Sequence, residues 1–333
     1  MRFLVVGLGS MGRRRIRNLH ALGYREIAGF DVNSIRAGQV SGEFEIEIFD
    51  NFDEAIRIFR PVALIMSTSP DEHVGYLEFA VSKRLSCFVE ASVVDSEGIK
   101  AVAMAAHAAG VLVAPSCTMK FYMRPSHVKR LIQDGLIGKP LAFSYHIGQW
   151  LPNWHPWESI TDYYVSKRGT GGCREIVPFE LTWLIDIFGF PEPISCFKGK
   201  VSDLEADIDD IYSFVLKYPE GVVGSILIEV LSQPHSSREL RVVGSKGILV
   251  MSSDEDCVRY SNSDQSEWVR FGTRGKTFES GYIYPEEPYI NELNAFITAV
   301  QQDQPLEFPN TLLMDSKILD LLEELEQLAS SEK

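Results

Sequence analysis

The chain opens with a strand that runs directly into a glycine-rich turn. Arg2-Phe3-Leu4-Val5-Val6 has the character of a buried strand, Gly7-Leu8-Gly9-Ser10-Met11-Gly12 follows at once, and a helical stretch continues through Leu22. A second short strand, Glu26-Ile27-Ala28-Gly29-Phe30, ends on Asp31, 19 residues after the last glycine of the turn. This is a G-x-G-x-x-G loop in the strand-to-helix context that a dinucleotide-binding Rossmann turn needs. Gly7 permits the tight turn, Gly9 lets backbone approach a pyrophosphate, and Gly12 lets helix and strand pack closely. The helix start offers N–H groups and a positive dipole end to phosphates. Asp31 is placed to accept hydrogen bonds from a ribose 2′-OH, which favours NAD. NADP stays open: Arg13, Arg14, Arg15 and Arg36 are either helix-surface charges or partners for an extra phosphate.

The first ~115 residues alternate strand and helix, as a parallel sheet requires. Pro61–Thr68 reads as a strand ending in a polar turn, Val74–Lys83 as a helix, Cys87–Glu90 as a strand, Ser96–Ala109 as a helix and Val111–Pro115 as a strand. Ligands of such sheets sit beyond the carboxyl ends of the strands. That rule gathers Gly7–Gly12, Ser67–His73, Glu90–Ser92 and Ser116–Lys120 around one crevice. The expected cofactor contacts are therefore Gly7, Leu8, Gly9, Ser10, Met11, Gly12, Asp31, Ser67, Thr68, Ser69, His73, Glu90 and Ala91.

After residue 120 the pattern changes. Helices are expected at Pro125–Asp134 and Arg174–Phe188, and strands at Leu141–Gln149, Ile194–Val201, Ile211–Tyr218, Val222–Leu231, Glu239–Val243 and Ile248–Ser252. Tyr218–Gly221 and Gly244–Gly247 read as hairpin turns. Helices at Tyr289–Asp303 and Leu312–Ala329 close the chain. The fold class expected is thus an α/β Rossmann domain at 1–118 followed by an α+β domain at 119–333 with a large, mainly antiparallel open sheet, the last helices packing back on the first domain. An open sheet face with nothing to cover it predicts a homodimer or homotetramer.

Charge and cysteine usage narrow the class. With 46 acids against 32 bases the formal net charge is −14, which disfavours nucleic acid and anionic membrane surfaces as partners. The five cysteines are scattered and form no CxxC pair, so reduced thiols in a cytoplasmic protein are expected, without a metal site. No signal peptide and no membrane-spanning stretch is read.

The two halves and their motifs together resemble the Gfo/Idh/MocA oxidoreductase family over essentially the whole chain. The matching pieces are Gly7–Gly12, Ser67-Thr68-Ser69-Pro70-Asp71-Glu72-His73, Glu90, Leu136-Ile137-Gly138-Lys139-Pro140, Gly171-Gly172 before a helix ending at Gly189, and Tyr289-Ile290-Asn291-Glu292-Leu293. The stretch from Gln149 through Trp154, His155 and Trp157 to Tyr164 resembles a narrower branch of bacterial enzymes for acidic nine-carbon or other surface sugars. The resemblance implies NAD(P)-dependent hydride transfer at a carbon of a sugar, cyclitol or nucleotide sugar. It also implies a lysine in a Glu-Lys-Pro motif, and an aspartate and a histidine four residues apart on the helix after the glycine pair, with lysine and histidine relaying the proton.

This chain departs from that pattern. Ala91 and Ser92 follow Glu90, Glu175 stands at the aspartate position, and Phe179 or Glu180 at that of the histidine. Alanine can neither give nor take a proton. Lys120, just past the last Rossmann strand, is a candidate replacement, as are Glu180, Tyr164 and His155; each also has a structural reading as a junction charge, a helix-end charge or a packed loop residue. Tyr163 and Lys167 share the Tyr-x-x-x-Lys spacing, and Trp154, Tyr163, Lys167 and Glu175 are candidate substrate contacts, the aromatic loop being suited to stacking on a sugar face. The leading function is an NAD-dependent dehydrogenase or reductase of a sugar or nucleotide sugar with a non-standard proton relay. The alternatives are an epimerase or lyase with a hidden redox cycle on retained cofactor, and a non-catalytic dinucleotide-binding regulator.

Overall fold

The computed structural model describes residues 1–272, 285–302 and 308–331. Two compact units appear, one of residues 1–118 with 286–319, the other of 119–285 with 320–333. The segment after 285 is thus shared between the units.

In the first unit, strands and helices alternate: β1 (Phe3–Val6), α1 (Ser10–Ala21), β2 (Ile27–Phe30), α2 (Ser34–Phe44), β3 (Glu47–Phe49), α3 (Phe52–Phe59), β4 (Ala63–Met66), α4 (His73–Ser82), β5 (Ser86–Val89), α5 (Ser96–Ala109) and β6 (Val113–Pro115). The six strands form one parallel sheet in the order β3-β2-β1-β4-β5-β6. β1, β2 and β4 are buried throughout, as strands covered on both faces must be, which is why they read as continuous apolar runs. The order reverses between β1 and β4, and that switch point sets the crevice at the carboxyl edge. α2, β3 and α3 lie in a stretch for which sequence analysis assigns no elements. Asn33 and Asn51 cap α2 and α3 by accepting from backbone N–H groups in their first turns.

The second unit holds α6 (Met123–Gln133), β7 (Pro140–Gly148), α7 (Cys173–Phe188), β8 (Glu192–Gly199), β9 (Ile211–Lys217), β10 (Val223–Glu229), β11 (Ser237–Gly244), β12 (Gly247–Ser252), β13 (Cys257–Asn262) and β14 (Val269–Gly272). Its sheet runs β14-β13-β12-β11-β7-β10-β9-β8 and is antiparallel except where β7 meets β10. The last two strands were not legible in the sequence. One face is packed: Tyr145, Phe214, Ile226 and Leu240 are buried, and Phe143 stacks on Phe188 of α7 with ring centroids 4.4 Å apart. Phe197, Val223 and Val243 belong to the opposite face by register and are 56%, 39% and 39% exposed.

Two helices follow, α8 (Glu287–Gln302) and α9 (Leu312–Ser331). Asp303, the expected end of α8, lies outside the described residues. All five cysteines are buried, and none forms a disulfide.

Candidate functional site

The glycine turn is locked by sterics. A Cβ on Gly7, whose φ is +85°, would sit 2.6 Å from the Ser67 carbonyl oxygen, and one on Gly12 would sit 1.9 Å from that of Gly7. Gly9 differs: nothing lies within 4 Å of its Cβ position, so the space above it is open. Gly9 starts α1 without a side-chain cap and the first turn carries no acid, which leaves the positive end of the helix available to an anion.

Asp31 is nearly buried and bound into this turn. Its carboxylate accepts from the Leu8 N–H at 2.7 Å and the Asn33 N–H at 2.8 Å, and Arg36 Nη1 lies 3.3 Å away. The other arginines are otherwise employed. Arg13 pairs with Glu43 at 2.7 Å, Arg14 with Glu286 at 2.8 Å, and Arg15 with Glu90 and Glu292. Arg14 and Arg15 are buried. This removes them both as surface charges and as partners for an extra phosphate; Arg36 is the one of the four that stands beside Asp31.

Beyond β4 and β5 the polar groups are of two kinds. Glu90 is fixed, with Arg15 Nε and Nη2 donating at 2.7 and 2.8 Å and Ser67 Oγ at 3.3 Å. Thr68 Oγ1, His73 Nδ1 and Ser92 Oγ are buried and have no partner among the described residues. His73 Nε2 lies 3.2 Å from the Thr68 carbonyl oxygen. A carbonyl can only accept, so Nε2 carries the proton and Nδ1 presents a lone pair. Burial lowers the His73 pKa, keeping the ring neutral. A dinucleotide fits these features: space at Gly9, an acid at the end of β2, and orphaned donors and acceptors at the ends of β4 and β5, where such atoms need a ligand or water.

In the second unit the expected residues divide. Glu180 is 1% exposed; its Oε2 accepts from Tyr145 Oη at 2.6 Å and Trp183 Nε1 at 2.7 Å, and its Oε1 from Arg238 Nη2 at 2.6 Å. A base must reach its substrate with a lone pair. Glu180 is instead a core anchor, which corrects its place among the proton-transfer candidates. Lys120 Nζ is 3.7 Å from Asp186 Oδ1, whose other oxygen takes Lys129 at 2.7 Å. Glu175, in the first turn of α7, accepts from the Tyr164 hydroxyl at 2.9 Å.

The aromatic loop forms a stack. The His155 ring lies between Trp157, at 5.0 Å, and Tyr163, at 4.5 Å, and its Nδ1 is 2.6 Å from Glu158 Oε1. Tyr163 Oη and Trp154 Nε1 are buried atoms with no partner among the described residues. Burial, and then the carboxylates of Glu175 and Glu158, push the Tyr163 pKa up. Lys167 caps the short 3₁₀ turn that starts at Tyr164, and a bridge joins it to Asp207. Among the described residues, no group of three or more His, Cys, Asp or Glu could hold a metal, and no helix is long and apolar enough to cross a membrane.

The fold and the glycine turn define an NAD-binding Rossmann oxidoreductase, and comparison with known families agrees. Residues 1–116 match the oxidoreductase family with an NAD-binding Rossmann fold, and residues 126–250 match the Gfo/Idh/MocA C-terminal domain. The chain belongs to the Gfo/Idh/MocA family. No curated protein sequence matches it significantly. Among solved structures, an oxidoreductase from Agrobacterium radiobacter in complex with NAD⁺, L-tartaric acid and magnesium aligns with a TM-score of 0.85 at 12% identity, over 100% of this chain and 97% of that one. A levoglucosan dehydrogenase in complex with NADH and levoglucosan gives 0.83 at 14% identity, over 100% and 98%. An inositol dehydrogenase homologue from Azotobacter vinelandii, complexed with NAD⁺, gives 0.82 at 15%, over 99% and 95%. At these identities the likeness is one of fold.

Proposed function

We propose that this chain is an NAD-dependent dehydrogenase or reductase acting on a CH–OH carbon of a sugar or nucleotide sugar, with a proton relay of its own. The observation that carries the reading is the carboxyl edge of the first sheet. The turn is open only at Gly9, Asp31 is built into it, and Thr68 Oγ1, His73 Nδ1 and Ser92 Oγ lack partners. Leu8, Ser10, Met11, Ser69 and Ala91 complete the cofactor contacts proposed.

When bound, the nicotinamide supplies the hydride acceptor or donor. The chain has to manage the accompanying proton. The pair that suits this is Tyr164 with Glu175: the hydroxyl already donates to a carboxylate, so a proton can be held or passed at Tyr164 Oη. Lys120 and His155 are the further candidates, each paired with a carboxylate. Trp154 and Tyr163 offer ring faces together with polar atoms, a combination suited to a polyhydroxylated substrate. The sugar relatives named above are consistent with that class. The exposed apolar face of the second sheet supports a homodimer or homotetramer.

The test follows nicotinamide absorbance as the purified chain and NAD⁺ meet a panel of sugars and nucleotide sugars. Substrate-dependent NADH formation is expected, and Tyr164→Phe and Glu175→Gln each lower it. Binding of NAD⁺ with no net reduction by any member of the panel would overturn the dehydrogenase reading in favour of a hidden redox cycle or a regulator.

A further inference from the structure

On the proposed cofactor reading, a dinucleotide with its ribose at Asp31 and its pyrophosphate on the β1 turn would extend toward the ends of β4 and β5, the next strands in the order β2-β1-β4-β5. The charged group waiting there is built around Arg15. This guanidinium is fully buried, holds both oxygens of Glu90, and reaches Glu292 Oε2 at 3.1 Å. Glu292, on α8, is equally buried and accepts from Ser116 Oγ at 3.0 Å, the Cys117 N–H at 2.5 Å and Thr118 Oγ1 at 2.8 Å. Burial, and with it the neighbouring Glu90 carboxylate, push the Glu292 carboxyl above its ordinary value, against the pull of Arg15, Thr118 and the Cys117 N–H.

The count of charges is uneven. One guanidinium faces two carboxylates. Arg14 is matched by Glu286, His73 is kept neutral, and the residue after Glu90 is Ala91, which carries no charge. Glu90 is the outer member, with its side chain 15% exposed against 0% for Arg15 and Glu292.

We infer that this Arg15–Glu90–Glu292 cluster, one positive charge short, discriminates between the redox states of the cofactor and weights binding toward the oxidised form. The reading rests on the proposed NAD chemistry. Oxidised nicotinamide is cationic and the reduced ring is neutral, so a net negative cluster acts on one and not the other. By the thermodynamic cycle, the same factor makes the bound oxidised form a weaker oxidant than it is free in solution. Ala91 is central: a cation at that position would balance the cluster and remove the discrimination.

The experiment titrates the full chain with NADH by its fluorescence and with NAD⁺ by displacement, for the unaltered protein, Ala91→Lys and Glu90→Gln, with thermal unfolding run alongside. Both substitutions are expected to weaken NAD⁺ relative to NADH by about tenfold, the scale of one charge acting over several ångströms in a partly screened site. The ratio of the two affinities is the readout, because Glu90 and Ala91 are themselves proposed cofactor contacts. A ratio that stays constant in both variants, or an equal loss of both nucleotides, overturns the inference. Should Glu90→Gln strand Arg15 and unfold the unit, Ala91→Lys decides, since it removes none of the hydrogen bonds. Failure of the unaltered chain to bind either nucleotide overturns the cofactor reading itself, which is a different result.

Discussion

The backbone N–H of Leu8 donates to Asp31 Oδ2 across 2.7 Å, so the glycine turn and the carboxylate at the end of β2 are one hydrogen-bonded piece. Arg36 approaches the same oxygen at 3.3 Å. Asp31→Ser removes the carboxylate, leaves the guanidinium without it and favours a 2′-phosphate. NAD⁺ affinity is expected to fall by about tenfold or more, the loss of a hydrogen bond to a charged group. NADP⁺ affinity should rise. Titration with both nucleotides checks the exchange, and an unchanged NADP⁺ affinity would show that Arg36 does not reach the phosphate.

Two glycines of the turn separate binding from folding. A methyl on Gly9 meets no protein atom, so Gly9→Ala should unfold at nearly the temperature of the unaltered chain while losing NAD⁺ affinity. A methyl on Gly12 meets the Gly7 carbonyl oxygen, and Gly12→Ala should lower the unfolding midpoint of the first unit as well. Equal effects of the two substitutions on stability would contradict this division.

Glu180 and Glu175 lie five residues apart on α7 and should behave in opposite ways. Glu180→Ala takes the carboxylate away from the buried Arg238 guanidinium and Tyr145 hydroxyl, and is expected to cost about 3–5 kcal/mol of stability, as loss of one partner from a buried ion pair does. Glu175→Gln should leave the unfolding curve nearly intact and reduce turnover, with Tyr164→Phe giving a similar loss rather than an added one if the two act as a pair. Thermal unfolding beside initial rates distinguishes them.

The contrast shows where sequence reading stops. Gly7, Gly9, Gly12 and Asp31 were legible because their task is local: a turn, a helix start and a strand end set their geometry within 25 residues. Glu180 was not, since the groups that saturate it, Tyr145 and Arg238, come from β7 and β11. Arg14 and Arg15 look like surface charges on an amphipathic helix, yet their acids stand at 286, 90 and 292. Their burial depends on which helix covers α1, and periodicity carries no such information. The family motif around Tyr289–Leu293 was the one available signal for Glu292, and it did not disclose the partner. β13 and β14 were missed because short, half-exposed strands near the end of a sheet lack a clean alternation.

The open face of the second sheet should be an interface between copies of the chain. Phe197, Val223 and Val243 point away from the core-facing side that holds Phe214 and Ile226. Light scattering is expected to report two or four chain masses, and Phe197→Asp with Val243→Asp to lower that value, because a desolvated carboxylate on each copy opposes association. A monomer at micromolar concentration in the unaltered protein would refute the assignment.

Glu229 should govern part of the acid sensitivity of the second unit. Burial alone would raise its pKa, but hydrogen bonds from His146 and Ser232 and from the N–H groups of Leu231 and Ser232 outweigh it and hold the carboxyl below its ordinary value. The unfolded chain therefore binds a proton at this residue more readily than the folded one. The stabilisation is complete above the ordinary carboxyl pKa and is lost as pH falls through the lower folded value. Glu229→Gln should accordingly unfold several degrees below the unaltered chain at neutral pH, at roughly 2–4 °C per kcal/mol for a unit of this size. That gap should narrow steadily on acidification. A gap that stays constant down to the acid limit would mean that the side chain acts through packing beside Gly148, where a Cβ would meet the carboxylate, and not through its charge.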